Sequence, residues 1–290
     1  MGVMQAATPR VRCRQIEEAD LDAVLDLLVE GFPAQTRAQW VEVLRRLSAH
    51  DTPVGYAKYG YLLEHNAVAV GVLLLIFAKI DDEGHVRCNV SSWYVRPPFR
   101  GYAALLASRA LRHREVVYFD MTPAPHTRPI LEAQGYRLYC AGGFVSVPIL
   151  HGRSGDAYVE VAGPRTEPGA DLTATEIRQL LDHAGFGCLS LIVHCAEGRS
   201  PFVFLPRRRW GIPYAYLAYC RDQADFVRFA GVLGQFLMRQ RLPLVILDAD
   251  GPLAGLIGRY TQRAPPKYFK GSDPPRHGDW LYSERTMLGV

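Results

Sequence analysis

The chain has 290 residues, 49% of them apolar and 21% charged, the make-up of a folded protein with a sizeable core. Its 33 lysines and arginines outnumber its 29 aspartates and glutamates by only 4. That balance excludes a nucleic-acid binder working by bulk positive charge, although a local basic patch can still receive an anionic cofactor.

The six cysteines (Cys13, Cys88, Cys140, Cys188, Cys195, Cys220) form neither a CxxC pair nor a disulfide framework, and the nine histidines are too dispersed to indicate zinc. Reduced thiols in a cytoplasmic protein are the expectation. Residues 1–14 hold no apolar run suited to a signal peptide. The longest apolar stretch, 67–78, is well short of the roughly 20 residues that span a bilayer, so no membrane contact is expected.

In chain order, 12–16 predicts a short strand, and Asp20 is placed to cap a helix whose apolar residues Leu21, Val24, Leu25, Leu28 and Phe32 recur at helical spacing. A second helix over 36–49 buries Trp40, Val43, Leu44 and Leu47. Three strand-like runs follow, 56–64, 67–80 and 86–95, joined by turns at 65–66 and 81–84; they predict an antiparallel meander. Residues 96–101 form a turn and 102–114 a helix. A strand over 116–121, a helix over 127–133 capped by Gly135, and one or two strands over 136–149 complete this half.

From 151 to 171 glycine, proline, serine and aspartate dominate, which predicts a linker with a short strand at 158–161. The order then partly repeats: helix 174–184, strands 188–195, 201–205 and 214–220, helix 223–240, strand 244–247, a short helix 253–260 and a final strand 279–288. A repeat of supersecondary order at so long a period predicts two duplicated domains, 1–150 and 172–290. The segment 264–275, with its four prolines, reads as an irregular wrap.

The most informative segment is Ser91-Ser92-Trp93-Tyr94-Val95-Arg96-Pro97-Pro98-Phe99-Arg100-Gly101-Tyr102-Ala103-Ala104. A strand ends in a turn and feeds a helix N-terminus. Unpaired backbone N–H groups and the positive end of the helix dipole there suit a pyrophosphate. Arg100 would add charge, and Gly101 would let the backbone approach closely.

In this segment the sequence resembles the GNAT (acyl-CoA N-acyltransferase) superfamily. Its loop reads Arg/Gln-x-x-Gly-x-Gly/Ala after a strand ending in Val, and Val95, Pro97, Arg100 and Gly101 stand where that pattern wants them. Gly135-Tyr136 stands where the family has Gly-Phe. The resemblance covers about residues 10–150 and implies an α/β fold of α+β type: two tandem GNAT-like domains, each a mixed, largely antiparallel sheet flanked by helices. It implies acetyl-CoA or another acyl-CoA as co-substrate, held by Trp93, Tyr94, Val95, Arg100, Gly101, Tyr102, Ala103 and Ala104, and a small-molecule acceptor.

The chain departs from the family pattern in four places. Ala103 and Leu105 replace later loop glycines, Leu131 aligns with the usual acid tyrosine, and Arg87 falls near the usual glutamate base. Family logic leaves Ser92, Asp120 and His126 as the candidate catalytic residues near the reacting centre, with Ser91 beside them and Trp93 or Tyr94 lining the acyl pocket. A histidine there could take a proton from an ammonium or hydroxyl.

The second half has no such loop. Cys220-Arg221-Asp222-Gln223-Ala224-Asp225 places two carboxylates at a helix start, which repel a phosphate, so a degenerate domain is expected. Tyr260 falls where the family's acid tyrosine would stand. Pro206-Arg207-Arg208-Arg209-Trp210-Gly211 reads as a basic turn open to an anion or simply to solvent. Two functions remain in view: an acyltransferase acting on an amine or hydroxyl, and a catalytically inactive binding or regulatory module. A third reading, a tandem GNAT-fold aminoacyl-transferase taking aminoacyl-tRNA, is disfavoured by the modest charge.

Overall fold

The structure is a computed structural model that describes residues 11–152 and 155–289. Four antiparallel strands open it: β1 (Val11–Gln15), β2 (Gly60–His65), β3 (Val68–Lys79) and β4 (Val86–Val95). The β2–β3 turn is made by Asn66 and Ala67, both with positive φ (51° and 64°), the twist that a two-residue hairpin needs. β3 is buried continuously from Val70 to Ala78, so both its faces are covered.

Two helices separate β1 from β2. α1 (Leu21–Gly31) buries Val24, Leu25, Leu27 and Leu28; α2 (Arg37–Ala49) buries Trp40, Val43, Leu44 and Leu47. Thr36 and Gln39 form a capping box on α2. Asp20 acts differently from the expected cap. Its carboxylate accepts the Glu17 N–H at 2.9 Å and a forked pair of bonds from Arg14 at 2.6 and 2.7 Å.

After β4, a 3-10 helix (Pro97–Tyr102) runs into α3 (Ala103–Ala110), which is shorter than the expected 102–114. Then follow β5 (Val117–Asp120), α4 (Arg128–Ala133), β6 (Arg137–Cys140), β7 (Gly142–Ser146), β8 (Tyr158–Val161), α5 (Ala174–Gly185), β9 (Leu189–Cys195), β10 (Gly198–Arg209), β11 (Ile212–Cys220), α6 (Gln223–Arg239), β12 (Val245–Ala249), β13 (Gly258–Thr261) and β14 (Lys267–Lys270).

The strands make two seven-stranded sheets, β1-β2-β3-β4-β5-β14-β6 and β13-β7-β12-β11-β10-β9-β8, largely antiparallel with β11 and β12 parallel. The architecture is thus α/β with two mixed sheets flanked by helices. Two compact units divide the chain: residues up to Lys79 with Val86–Tyr118 and Leu288 onward, and Ile80–His85 with Phe119–Met287. In the second unit α6 packs Phe226, Phe229 and Leu233 into a core with Leu191, Phe202, Phe204 and Leu217.

The chain path departs from a simple succession of halves at 150. β7 belongs to the second sheet, where it pairs with β12 and β13. The short strand expected at 158–161 within the linker is β8, and its pairing with β9 makes it part of the second sheet. Instead of the helix expected at 253–260 there is a turn up to Ile257 and then β13, where Gly258 lets two backbones meet: a Cβ there would lie 2.1 Å from the Val145 carbonyl oxygen. The expected wrap contains β14, paired with β6. The expected last strand contributes one bridge, Tyr219 with Asp279, before a π-helical turn at Glu284–Leu288.

Candidate functional site

The segment singled out in the sequence starts on β4, which coincides with its expected span. Val72 pairs with Tyr94 and Leu74 with Ser91, so Leu73 faces two residues, Ser92 and Trp93. This is a β-bulge, which leaves one residue unpaired and re-aims the strand. Ser92 carries the local conformation, with φ of 53°, at a cost of about 1–3 kcal/mol for a non-glycine residue. Its hydroxyl lies 3.0 Å from that of Ser91. Beyond the bulge Ser92, Trp93 and Tyr94 are half-buried and Val95 is buried.

The strand end is tied down within its own unit. The Arg96 N–H donates to the Val70 carbonyl at 2.9 Å, and its side chain donates to Glu30 at 2.9 Å and to the Ala69 carbonyl at 3.2 Å. The Tyr94 hydroxyl also donates to Glu30, at 2.9 Å. Burial works against the charged form of Glu30, but these bonds prevail and hold its carboxyl below the usual range. Burial, followed by the Glu30 bond, pushes the Tyr94 phenol up.

The turn itself is helical. Phe99 N–H donates to the Arg96 carbonyl at 2.9 Å, and Ala103 N–H to the Arg100 carbonyl. Pro97 and Pro98 have no N–H to offer. The Ala103 amide, one of those expected to meet a diphosphate, is therefore already used by the turn. Besides Pro97 and Pro98, the segment presents Arg100, Gly101, Tyr102 and Ala104 to solvent, all exposed. A Cβ built on Gly101 would meet no atom within 4 Å, so the space beside it is open. Arg100 makes no ion pair among the described residues. Leu105 is half-buried, and Leu131 and Arg87 are both buried.

Asp120 and His126 belong to the second unit. Asp120 ends β5, and its carboxylate accepts the Thr122 N–H at 3.1 Å. The Thr122 hydroxyl in turn donates to Glu284, a buried carboxylate on the π-helical turn. Burial lifts the Asp120 carboxyl well above its ordinary range, and the Glu284 charge adds to that. Glu284 did not emerge from the sequence, where it stands in the polar stretch Ser283-Glu284-Arg285-Thr286. His126 is exposed on the turn before α4 and bonds to neither carboxylate.

At the start of α6, Asp222 accepts the Ala224 N–H at 2.9 Å, so a side chain of the protein occupies the place an anion would take. Tyr260 lies half-buried on β13. The expected basic turn is narrower than its six residues: β10 continues to Arg209, and only Trp210 and Gly211, with φ of 51° and 80°, make the hairpin tip.

No protein-family model matches the sequence, nor does any of the curated proteins. Among solved structures, a GCN5-related N-acetyltransferase from Anabaena variabilis ATCC 29413 is similar with a TM-score of 0.59 at 10% identity, over 90% of this chain and 72% of that one. A putative acetyltransferase from Pyrococcus horikoshii gives 0.55 at 12% identity, over 97% and 96%. Eis1 from Mycobacterium abscessus gives 0.51 at 12%, over 90% and 73%. No helix among the described residues is long and apolar enough to cross a membrane.

Proposed function

With the fold of the GCN5-related N-acetyltransferases as the frame, we propose that this chain is an acyl-CoA-dependent acyltransferase, moving an acetyl or short acyl group to an amine or hydroxyl of a small molecule. The observation that carries the reading is the bulge at Ser92-Trp93, one turn before the open strip of Arg100, Gly101, Tyr102 and Ala104. A strained backbone at Ser92 and an exposed, unpaired guanidinium at Arg100 are features that stability alone does not call for. The step from fold to activity is by analogy.

Arg100 to Ala104 would hold acyl-CoA, Arg100 by charge and Gly101 by leaving room; Trp93, Tyr94 and Val95 would border the acyl end. Bound acyl-CoA supplies a thioester carbonyl open to attack by an amine or hydroxyl. The chain's own work is to orient the two reactants and to accept the proton that the acceptor must lose. Ser92, Asp120 and His126 are the candidates to take that proton; burial raises the Asp120 carboxyl well above its ordinary range.

Calorimetric titration with acetyl-CoA and with longer acyl-CoAs is the direct test. Heat of binding together with thiol release that Arg100→Ala reduces at limiting donor is expected; silence with every donor sinks the reading. A non-catalytic binding module is the alternative, favoured by the engaged Ala103 amide and by buried Leu131 at the acid tyrosine's place. Binding of coenzyme A without thiol release across an acceptor panel would select it.

A further inference from the structure

The arginine run on β10 points to a second site. Arg207 pairs with Tyr214 and Leu205 with Tyr216, so Arg207, Tyr214 and Tyr216 share one face of the sheet, while Arg208 faces the other way. The turn at Glu284–Leu288 meets that same face. Arg285 holds its guanidinium 4.5 Å from the Tyr216 ring centre and 5.5 Å from that of Trp280. Its backbone carbonyl accepts a bond from Arg207 Nη2 at 3.0 Å.

Neither guanidinium has a carboxylate partner among the described residues. Arg207 donates only to the carbonyls of Pro206 and Arg285, and the Arg285 side chain makes ring contacts alone. Two other half-buried arginines of this unit are matched: Arg199 by Asp171 at 2.6 Å, and Arg221 by Glu176 at 2.6 Å. Burial lowers the proton affinity of Arg207, and neighbouring Arg285 lowers it further. Two like charges drawn partly out of water, with no counter-charge built in, repel until an anion joins them.

We propose that Arg207 and Arg285 form a binding site for an oxyanion, the carboxylate or phosphate group of a small molecule. The planar forks of two guanidiniums suit such a group, which can accept paired bonds from each. Tyr214 and Tyr216 flank the pair, and Arg209, stacked 4.5 Å over Trp210, adds charge at the hairpin tip. None of these residues belongs to the acyl-donor reading, so the site stands or falls apart from it.

The test is calorimetric titration of the whole chain with inorganic phosphate and, separately, with benzoate, at an ionic strength held constant with sodium chloride. Saturable binding of one probe is expected, and which one binds tells phosphate from carboxylate recognition. Arg207→Gln and Arg285→Gln should each weaken it about tenfold or more, while Arg208→Gln on the opposite face leaves it within about twofold. Where a glutamine variant fails to fold, Arg207→Lys and Arg285→Lys keep the charge and lose the fork, and binding should still weaken severalfold. No saturable binding of either probe, equal affinity in the Arg207 and Arg285 variants, or an equal loss in Arg208→Gln would overturn the proposal.

Discussion

The Lys267 ammonium lies 2.7 Å from Asp248 Oδ1, and both side chains are only 2% exposed. Trp280 Nε1 donates to the other carboxylate oxygen at 2.6 Å. A buried pair of this kind gains little over an apolar replacement, but removing one member strands the other charge away from water. Lys267→Met should therefore cost about 3–5 kcal/mol in urea denaturation, and Lys267→Met with Asp248→Leu clearly less than that. A single substitution costing under about 1 kcal/mol would show that the carboxylate finds other partners.

Ser92 separates conformation from chemistry. Glycine adopts its positive φ freely, so Ser92→Gly should raise stability by about 1 kcal/mol and keep the bulge. If the hydroxyl takes part in acyl transfer, Ser92→Gly and Ser92→Ala lose turnover alike. If only the bulge matters, the glycine variant stays active, and paired rate measurements distinguish the two.

Gly101→Ala should do opposite things to folding and to donor binding. Nothing obstructs the new methyl and the backbone is not left-handed, so stability should hold or rise by up to about 1 kcal/mol in thermal melts. Acyl-CoA affinity should fall if the donor's backbone approach uses that space. Arg100→Ala should weaken the same affinity about tenfold through lost charge. Affinity indifferent to both changes would move the donor site away from the turn.

Asp120 sets a pH dependence whose direction can be worked out. Its folded carboxyl binds its proton more tightly than the ordinary value of 3.8 implies. Its contribution is complete below that value and is lost as pH climbs through the raised folded value. Arg14 holds Asp20 and Glu64 below their usual values, so these two work in the opposite sense: their contribution is present above the carboxylate range and lost as pH falls. The difference between Asp120→Asn and the parent isolates the first effect. Denaturation from about pH 4 to about pH 9 should find the variant increasingly the more stable of the two. A constant difference across that range would contradict the raised affinity.

The two helices, the meander and the strand–turn–helix of the first half were legible because each buries residues at the period of its own element. The coincidence of β4 with its expected span is one example, and Thr36 at the start of α2 another. The bulge at Ser92 was not legible, since an extra residue leaves no mark on an alternation already interrupted by Ser91-Ser92. The turn after it was read as a loop of free amides, yet Pro97-Pro98 is compatible with the first turn of a helix and began one. β14 was hidden by its lysines: Lys267 enters the core only because Asp248, nineteen positions earlier, waits there to pair with it. Glu284 beside Asp120 is a meeting of residues far apart in sequence, to which no local pattern points.

Cys140 on β6 and Lys267 on β14 are register partners 127 residues apart, and β7 likewise waits for strands that begin at Val245 and Gly258. On a ribosome adding roughly 5–20 residues per second, β6 spends about 6–25 s after its own synthesis without that neighbour. During this interval β5, β6 and β7 all carry open strand edges, the kind of surface that chaperones shield and that otherwise seeds association. A fragment stopped at residue 150 would keep those edges permanently, and should be recovered as aggregate where the full chain is recovered folded.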